Sequence, residues 1–314
     1  MKYAGKKLVS MLVTLLIVSF LVFFAFAVIP GDAAVSKLGT QATPERIAAL
    51  RAEMGLDRPF FVRYGDWLFS ALRGDFGKSY SYGDSVSALI AQKLPITFAL
   101  TLLSFLIMLV CAIPLGIYTA KHEGGMLDRI IMVVNQVIMA IPPFFSGIMI
   151  TYLFGLILKW FQPGSFVSYT VSVGRFFHYL LFPAVAIAIP KAAMTVKLLR
   201  SSLLQEAKKD YVRTAYSKGN RTNGVLYRHV LKNAMIPVIT FLAMTFTDMI
   251  AGSVIMEQVF SVAGMGRLLI SSISSRDYPV VEAIIILLAL IVVLANFAAD
   301  LLCRVLDPRI RREV

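Results

Sequence analysis

The sequence predicts an all-α integral membrane protein with six transmembrane helices and both termini cytoplasmic, and three observations carry that prediction. Apolar residues make up 58% of the chain and charged residues 16%, a balance far from that of a water-soluble domain. The apolar residues are gathered into runs long enough to cross a bilayer. Basic residues, 31 against 18 acidic ones, cluster in short segments that fall on one side when the runs are threaded alternately. Such segments are cytoplasmic, because Lys and Arg there bias insertion. The net charge of +13 is therefore a topology and anionic-lipid signal, with membrane lipid as partner and no nucleic acid.

The chain divides into a cytoplasmic start with a first span (1–29), an extracytoplasmic helical segment (30–94) and a five-helix core (95–314). Met1 to Lys7 is short and basic, and Leu8 to Ile29 is the first apolar run. Ala25-Phe26-Ala27 has the small-residue pattern of a cleavage site, but the run is too long for a signal peptide, so an uncleaved span is expected. In the outer segment Thr43-Pro44-Glu45-Arg46 is a helix start, with Thr as cap, Pro at the first position and an acid in the first turn. That helix runs to Met54 and stops at Gly55. A second begins near Pro59 and carries Phe60, Phe61, Tyr64, Trp67 and Leu68 on an aromatic face, read as local packing. Gly77-Lys78-Ser79 ends like a phosphate-binding loop, but the first glycine that loop needs is Leu72 here, so the match is false.

Further spans are Pro95 to Thr119, Ile130 to Leu158 with a break expected at Ile141-Pro142-Pro143, and Tyr179 to Leu199 interrupted at Pro190-Lys191. Ile236 to Ile255 and Val280 to Leu302 complete the six, and Arg304, Arg309, Arg311 and Arg312 then lie inside. Cys111 and Cys303 fall within apolar runs and read as small hydrophobes. His122, His178 and His229 are scattered, and neither a metal-ligand spacing nor a catalytic constellation is present, so no catalytic residue, metal or cofactor is expected in this chain. Polar residues inside spans are costly and face the protein interior. Among Asn135, Gln136, Lys191, Lys197, Thr245, Thr247, Asp248, Asn296 and Asp300, the expected pathway-lining residues are Asn135 and Asp248. Helix-to-helix hydrogen bonding is the other reading of each.

The segment from Arg200 to Pro237 is the basic loop between the fourth and fifth spans. Leu203, Leu204, Ala207, Tyr211, Thr214 and Ala215 recur at helical steps, and Gly219 stops that helix with Lys218 in its last turn. Asn220 to Gly224 is turn material, and Val225 to Met235 is helical until Pro237. A helix–Gly–helix hairpin there is a docking element; composition alone fits equally a loop that only fixes topology.

DYVRTAYSKG and RHVLKNAMIPVIT resemble the coupling loop of binding-protein-dependent ABC importer permeases, in the dipeptide, oligopeptide and nickel branch. EQVFSVAGMGRLL, RDYPVV and LDPR, between Glu257 and Arg309, resemble that branch as well. The chain departs from it at Asn220-Arg221-Thr222, where Leu-Ser-Glu is usual, and at Val262-Ala263, where Trp-Pro is common. A helix cap from Thr222 or Asn220 is expected instead.

The resemblance implies a non-catalytic permease subunit of an ATP-driven importer for dipeptides or oligopeptides. It implies a second homologous permease, an extracytoplasmic substrate-binding protein and two ATP-binding subunits, which hold the ATP and Mg. It assigns coupling to the ATPase to Asp210, Tyr211, Arg213, Thr214, Ala215, Lys218, Gly219, Arg228, His229 and Asn233. A nickel or metal-chelate importer is the alternative within the family. A stand-alone channel or secondary transporter is the alternative from another class, and it predicts an internal symmetry that the sequence does not display.

Overall fold

A computed structural model describes residues 2–28, 33–38 and 42–306. The basic ending with Arg309, Arg311 and Arg312 lies outside the described residues. Within them the chain is helical, with one isolated bridge between Lys78 and Ser85.

Among the described residues five helices are long and apolar enough to span a membrane: Lys7–Val28, Val86–Lys121, Val173–Ala207, Thr222–Val259 and Tyr278–Leu301. A bent pair, Met126–Ala140 and Pro143–Ile157, makes a sixth if counted as one span. Its 102° bend falls at the predicted Ile141-Pro142-Pro143. The cause is local: a proline disfavours helical geometry in the residue before it, and Ile141 adopts φ −82 and ψ 125. Pro143 then opens the next helix at a position that has no hydrogen bond to lose.

The chain divides into two compact units, Met1–Thr97 with Ala263–Leu294, and Phe98–Val262 with Ala295–Val314. In the first, α1 (Lys2–Val28) and α2 (Ala33–Leu38) precede α3 (Pro44–Glu53) and α4 (Phe60–Leu72). The Thr43 side chain accepts from the amide of Arg46, and Gly55 takes φ +65 after the last turn of α3, as the cap and stop signals predict. The aromatic face of α4 packs on α1: Tyr64 meets Phe20 and Phe23 at 5.5 Å, and Trp67 meets Phe23 at 5.8 Å. Tyr64 and Ser19 share a hydrogen bond of 2.9 Å. Phe61 points away and is exposed. The unit's apolar core joins Val86 and Ile90 at the start of α5 (Val86–Lys121) to Met265 and Leu268 of α12 (Met265–Ser274). Val280, Ala283 and Ile284 of α13 (Tyr278–Leu306) complete it.

In the second unit α6 (Met126–Ala140) and α7 (Pro143–Ile150), which continues as a π-helical stretch Thr151–Ile157, lie beside α8 (Val173–Ala207). The expected interruption at Pro190 is absent: α8 continues through Pro183 and Pro190. Pro190 has no N–H to give the carbonyl of Ala186; Ser146 Oγ, which donates to the Pro143 carbonyl at 2.6 Å, lies 3.3 Å from that carbonyl and shares its proton with it. This substitute partner is how packed membrane helices tolerate proline.

The helices approach closely where a glycine permits it. A Cβ on Gly116 of α5 would stand 2.9 Å from the Leu199 side chain of α8. We expect Gly116→Val to cost about 1–3 kcal/mol by overpacking, read as a lowered unfolding temperature of the detergent-purified chain.

Candidate functional site

The basic segment between α8 and the next long helix folds into a short helix, α9 (Asp210–Ser217), set off by turns on both sides. The expected first helix of the hairpin is in fact two pieces. The pattern from Leu203 to Ala215 is broken after Ala207, where Lys208 closes α8 and Lys209 takes extended geometry at the start of α9. Leu203 is buried from α8, and Val212 and Ala215 are buried from α9. Both stretches therefore present an apolar face, and periodicity alone does not reveal the break between them.

The far end of α9 follows the glycine signal. Gly219 has φ +80, and its amide donates to the Tyr216 carbonyl at 2.9 Å. The Asn220 amide reaches back to the Ala215 carbonyl at 3.4 Å. Together these form the two-bond termination that requires a left-handed residue after the last turn. Asn220 Nδ2 also donates to Ala215 O at 2.9 Å. Of the two side chains expected to cap the following helix, Asn220 thus closes α9 and Thr222 is already its first residue, so that helix starts with no side-chain cap.

The second strut is α10 (Thr222–Val225), a π-helical stretch Leu226–Val230 and α11 (Leu231–Val259), without a break from Thr222 to Val259. The expected end at Pro237 is not found; Pro237 lies inside α11. Wide π-helical turns are uncommon and recur at functional sites.

Polar contacts brace α9 against both struts. Tyr211 OH donates to Glu206 Oε1 of α8 at 2.8 Å, and Asn233 Nδ2 of α11 donates to Tyr211 OH at 3.1 Å. Lys209 pairs with the other Glu206 oxygen. Ser202 Oγ donates to the Ala234 carbonyl at 2.7 Å, tying α8 to α11 one turn further along. Burial pushes the Tyr211 phenol above its ordinary range; the Asn233 hydrogen bond opposes that shift and Glu206 adds to it. The phenol is therefore protonated at neutral pH, and its contribution fades only as the solution becomes strongly alkaline. Tyr211→Phe removes both bonds, and we expect it to destabilise the α9 brace by about 1–2 kcal/mol, seen as faster amide exchange across 206–219.

Of the ten residues assigned to this region, Asp210, Tyr211, Arg213, Thr214 and Ala215 share α9, and Lys218 and Gly219 close it. Asn233 is joined to them through Tyr211. Arg228 and His229 lie on the π-helical stretch and make no hydrogen bond to α9 among the described residues. Asp210, Arg213, Thr214, Ser217 and Lys218 are exposed on one face, opposite the buried Val212 and Ala215.

The span residues behave unequally. Asp248 pairs with Lys191 at 3.2 Å and its side chain is 63% exposed. Asn135 is buried, with its Nδ2 lacking a partner. Lys197 reaches Gln136 Oε1 at 3.4 Å, and Thr247 reaches Asn296 Oδ1 at 3.3 Å. One pair was not anticipated from the sequence. Arg200 grips Asp128 with two bonds, Nε to Oδ1 at 2.7 Å and a terminal nitrogen to Oδ2 at 2.8 Å. Asp128 Oδ2 also accepts the Gly124 amide at 2.9 Å. Opposite charges at the ends of two apolar runs were visible, but nothing local joins residues 72 apart.

Span-length helices joined by a braced, cation-rich connector are the features of a multi-pass membrane protein. The chain belongs to the family described as "Binding-protein-dependent transport system inner membrane component", whose model matches residues 112–312. A companion model for the N-terminal part of such membrane components matches residues 1–101. The chain is thus a multi-pass inner-membrane permease subunit of the ABC transporter class.

It is 33% identical over 309 residues to the "Probable peptide ABC transporter permease protein y4tP" of Sinorhizobium fredii, covering 98% of this chain and 99% of that one. It is 34% identical over 299 residues to the "Oligopeptide transport system permease protein AppB" of Bacillus subtilis, covering 94% and 95%. The "Glutathione transport system permease protein GsiC" of Salmonella choleraesuis is also 34% identical, over 99% of each chain. Among solved structures, a chain of the inward-facing MetNI methionine ABC transporter matches with a TM-score of 0.58 at 17% identity. That match covers 70% of this chain and 96% of the other, and it extends the fold assignment alone.

Proposed function

We propose that this chain is the permease of an ABC importer for dipeptides or oligopeptides, and that α9 is where it receives force from a separate ATPase. The observation that carries the proposal is the bracing of α9: a short helix fixed to α8 and α11 through Tyr211, Glu206 and Asn233 moves as one piece with both. A flexible loop would dissipate a push; a braced one transmits it into two span-length helices. The exposed face of Asp210, Arg213, Thr214 and Lys218 is the docking face in this reading.

In this proposal α9 and both termini are cytoplasmic, and α3 and α4 are extracytoplasmic. Two ATP-binding subunits supply ATP and Mg, a second homologous permease completes the pathway, and a binding protein delivers substrate from outside. Asp248, paired with Lys191 yet still exposed, is the better of the two pathway candidates; buried Asn135 is the weaker. The relatives' names speak of peptides, oligopeptides and glutathione, which favours peptide over metal-chelate cargo. Uptake of labelled dipeptide and of nickel chelate in a strain lacking this chain, with and without the restored gene, tests the reading. Restoration of dipeptide uptake is expected; restoration of nickel uptake alone would overturn the cargo assignment.

A further inference from the structure

A second feature, within the first unit, is a cleft of about 530 Å³ walled by α1, α3, α4, the 75–83 loop and the start of α13. That volume suits a small-molecule site. Its lining carries polar groups that the protein leaves unanswered. Glu282 is only 7% exposed and has no hydrogen bond or ion pair among the described residues; the Arg63 charge acts on it from beyond ion-pair distance. The hydroxyl of Tyr278 and the indole N–H of Trp67 are both buried and unpartnered. Arg63 lies over the Phe23 ring at 5.7 Å and forms no ion pair among the described residues.

By contrast, Arg58 and Asp66 in the same lining pair with each other at 2.8 Å, while Lys37, Glu53 and Lys78 bring further charge to its edge. Nearby polar groups on the loop are satisfied as well. Asp277 accepts the Tyr80 and Ser81 amides at 2.9 and 3.1 Å and the Ser79 hydroxyl. Within the cleft, the groups without hydrogen-bond partners are of two kinds. Glu282 and the Tyr278 oxygen accept; Trp67 Nε1 and Arg63 donate. Leaving such groups buried without partners is costly, so their presence in a preformed cavity points to a ligand that completes them.

We propose that this cleft binds a zwitterion, its primary ammonium held by Glu282 and Tyr278 and its anionic group by Arg63 and Trp67. Tyr80 also lines the cleft. Burial, and then the charge of Glu282, push the Tyr80 phenol up to about 12, so Tyr80 enters the site as a neutral group. Two sources share this chemistry: a free dipeptide, and the headgroup of an ethanolamine phospholipid. The proposal does not depend on the transport reading, since occupancy is measured without turnover.

The chain has two tryptophans, and Trp160→Phe leaves Trp67 as the sole reporter. The full-length variant, in nanodiscs of phosphatidylcholine, is titrated with alanyl-alanine and with N-acetyl-alanyl-alanine. A parallel series replaces phosphatidylcholine stepwise with phosphatidylethanolamine. The expected result is a saturable change in Trp67 emission with the free dipeptide, with phosphatidylethanolamine, or with both, and none with the acetylated dipeptide. Glu282→Gln, which keeps shape but not charge, is expected to weaken the response at least tenfold with an unchanged circular dichroism spectrum. Should that variant not fold, Tyr278→Phe is read instead, with a weakening of a few-fold. A response to the dipeptide alone assigns a soluble ligand, and one to the phospholipid alone assigns a lipid. No response to either probe, an equal response to the acetylated peptide, or a folded variant with full response overturns the proposal.

Discussion

Gly219→Val is expected to reduce substrate uptake at least about tenfold while the partner ATPase continues to turn over. The residue sits at φ +80 after the last turn of α9. No atom lies within 4 Å of the Cβ it would gain, so crowding plays no part. The cost is conformational: a left-handed backbone costs an ordinary L-residue about 1–2 kcal/mol, and a β-branched side chain more. To escape it the chain must unwind the turn that places the Gly219 amide on Tyr216 and the Asn220 amide on Ala215. A free-energy change of about 1–2 kcal/mol shifts such an equilibrium by about 5–30-fold. The lever would then be loose at the point where it is pushed. Gly219→Asn is the control, since asparagine tolerates this geometry, and it is expected to retain most uptake. Reconstituted complexes assayed for uptake and hydrolysis together separate the two effects; full uptake by the valine variant would contradict the account.

The second large effect is on folding. Asp128→Ala is expected to lower stability by about 3–5 kcal/mol, because removing one partner of a buried pair strands the other. The Asp128 side chain is 3% exposed and that of Arg200 21%, so neither charge has much recourse to water. The Gly124 amide loses its acceptor as well. Because the penalty is that of a stranded charge, the double variant Asp128→Leu with Arg200→Met should recover most of the loss. Thermal unfolding of the single and double variants in detergent checks both statements. A double variant no better than the single one would mean that the pair does more than satisfy itself.

The parts of this architecture that were legible in the sequence are those written in short-range chemistry. Thr43-Pro44, Gly55 and Gly219 each announce a helix end through one residue's own conformational preference, and each lies at that end. The break at Pro142 was visible for the same reason. Proline misled where remote packing accommodates it: Pro190 stays within α8, and Ser146, far away in the chain, offers the freed carbonyl a share of its hydroxyl proton. Pro237 lies inside α11 with no such partner identified.

Within the candidate site the sequence motif pointed to the correct stretch but not to its shape. The apolar face continues across Lys208 and Lys209 even though the helix does not, so a pattern of period 3.6 reads as one rod. Glu206 is one of two acids in the basic segment from Arg200 to Pro237, and nothing in its sequence neighbours marks its role. Only the fold shows that it anchors both Tyr211 and Lys209. Asp128 with Arg200, and Lys191 with Asp248, were likewise beyond reach. A pairing between residues 72 or 57 apart leaves no trace in local composition.

The proposed orientation, with α9 facing the cytoplasm and seized there by the ATPase, is open to a direct labelling experiment. Thr214 is exposed on that helix, and Thr214→Cys in a chain with Cys111 and Cys303 replaced by alanine places one thiol on its docking face. The account predicts that a membrane-impermeant maleimide labels this thiol in inside-out vesicles only. It predicts also that a bifunctional reagent joins it to the ATPase subunit, in a yield that changes with nucleotide. Labelling from the outer face of intact cells, with no adduct to the ATPase, would contradict it.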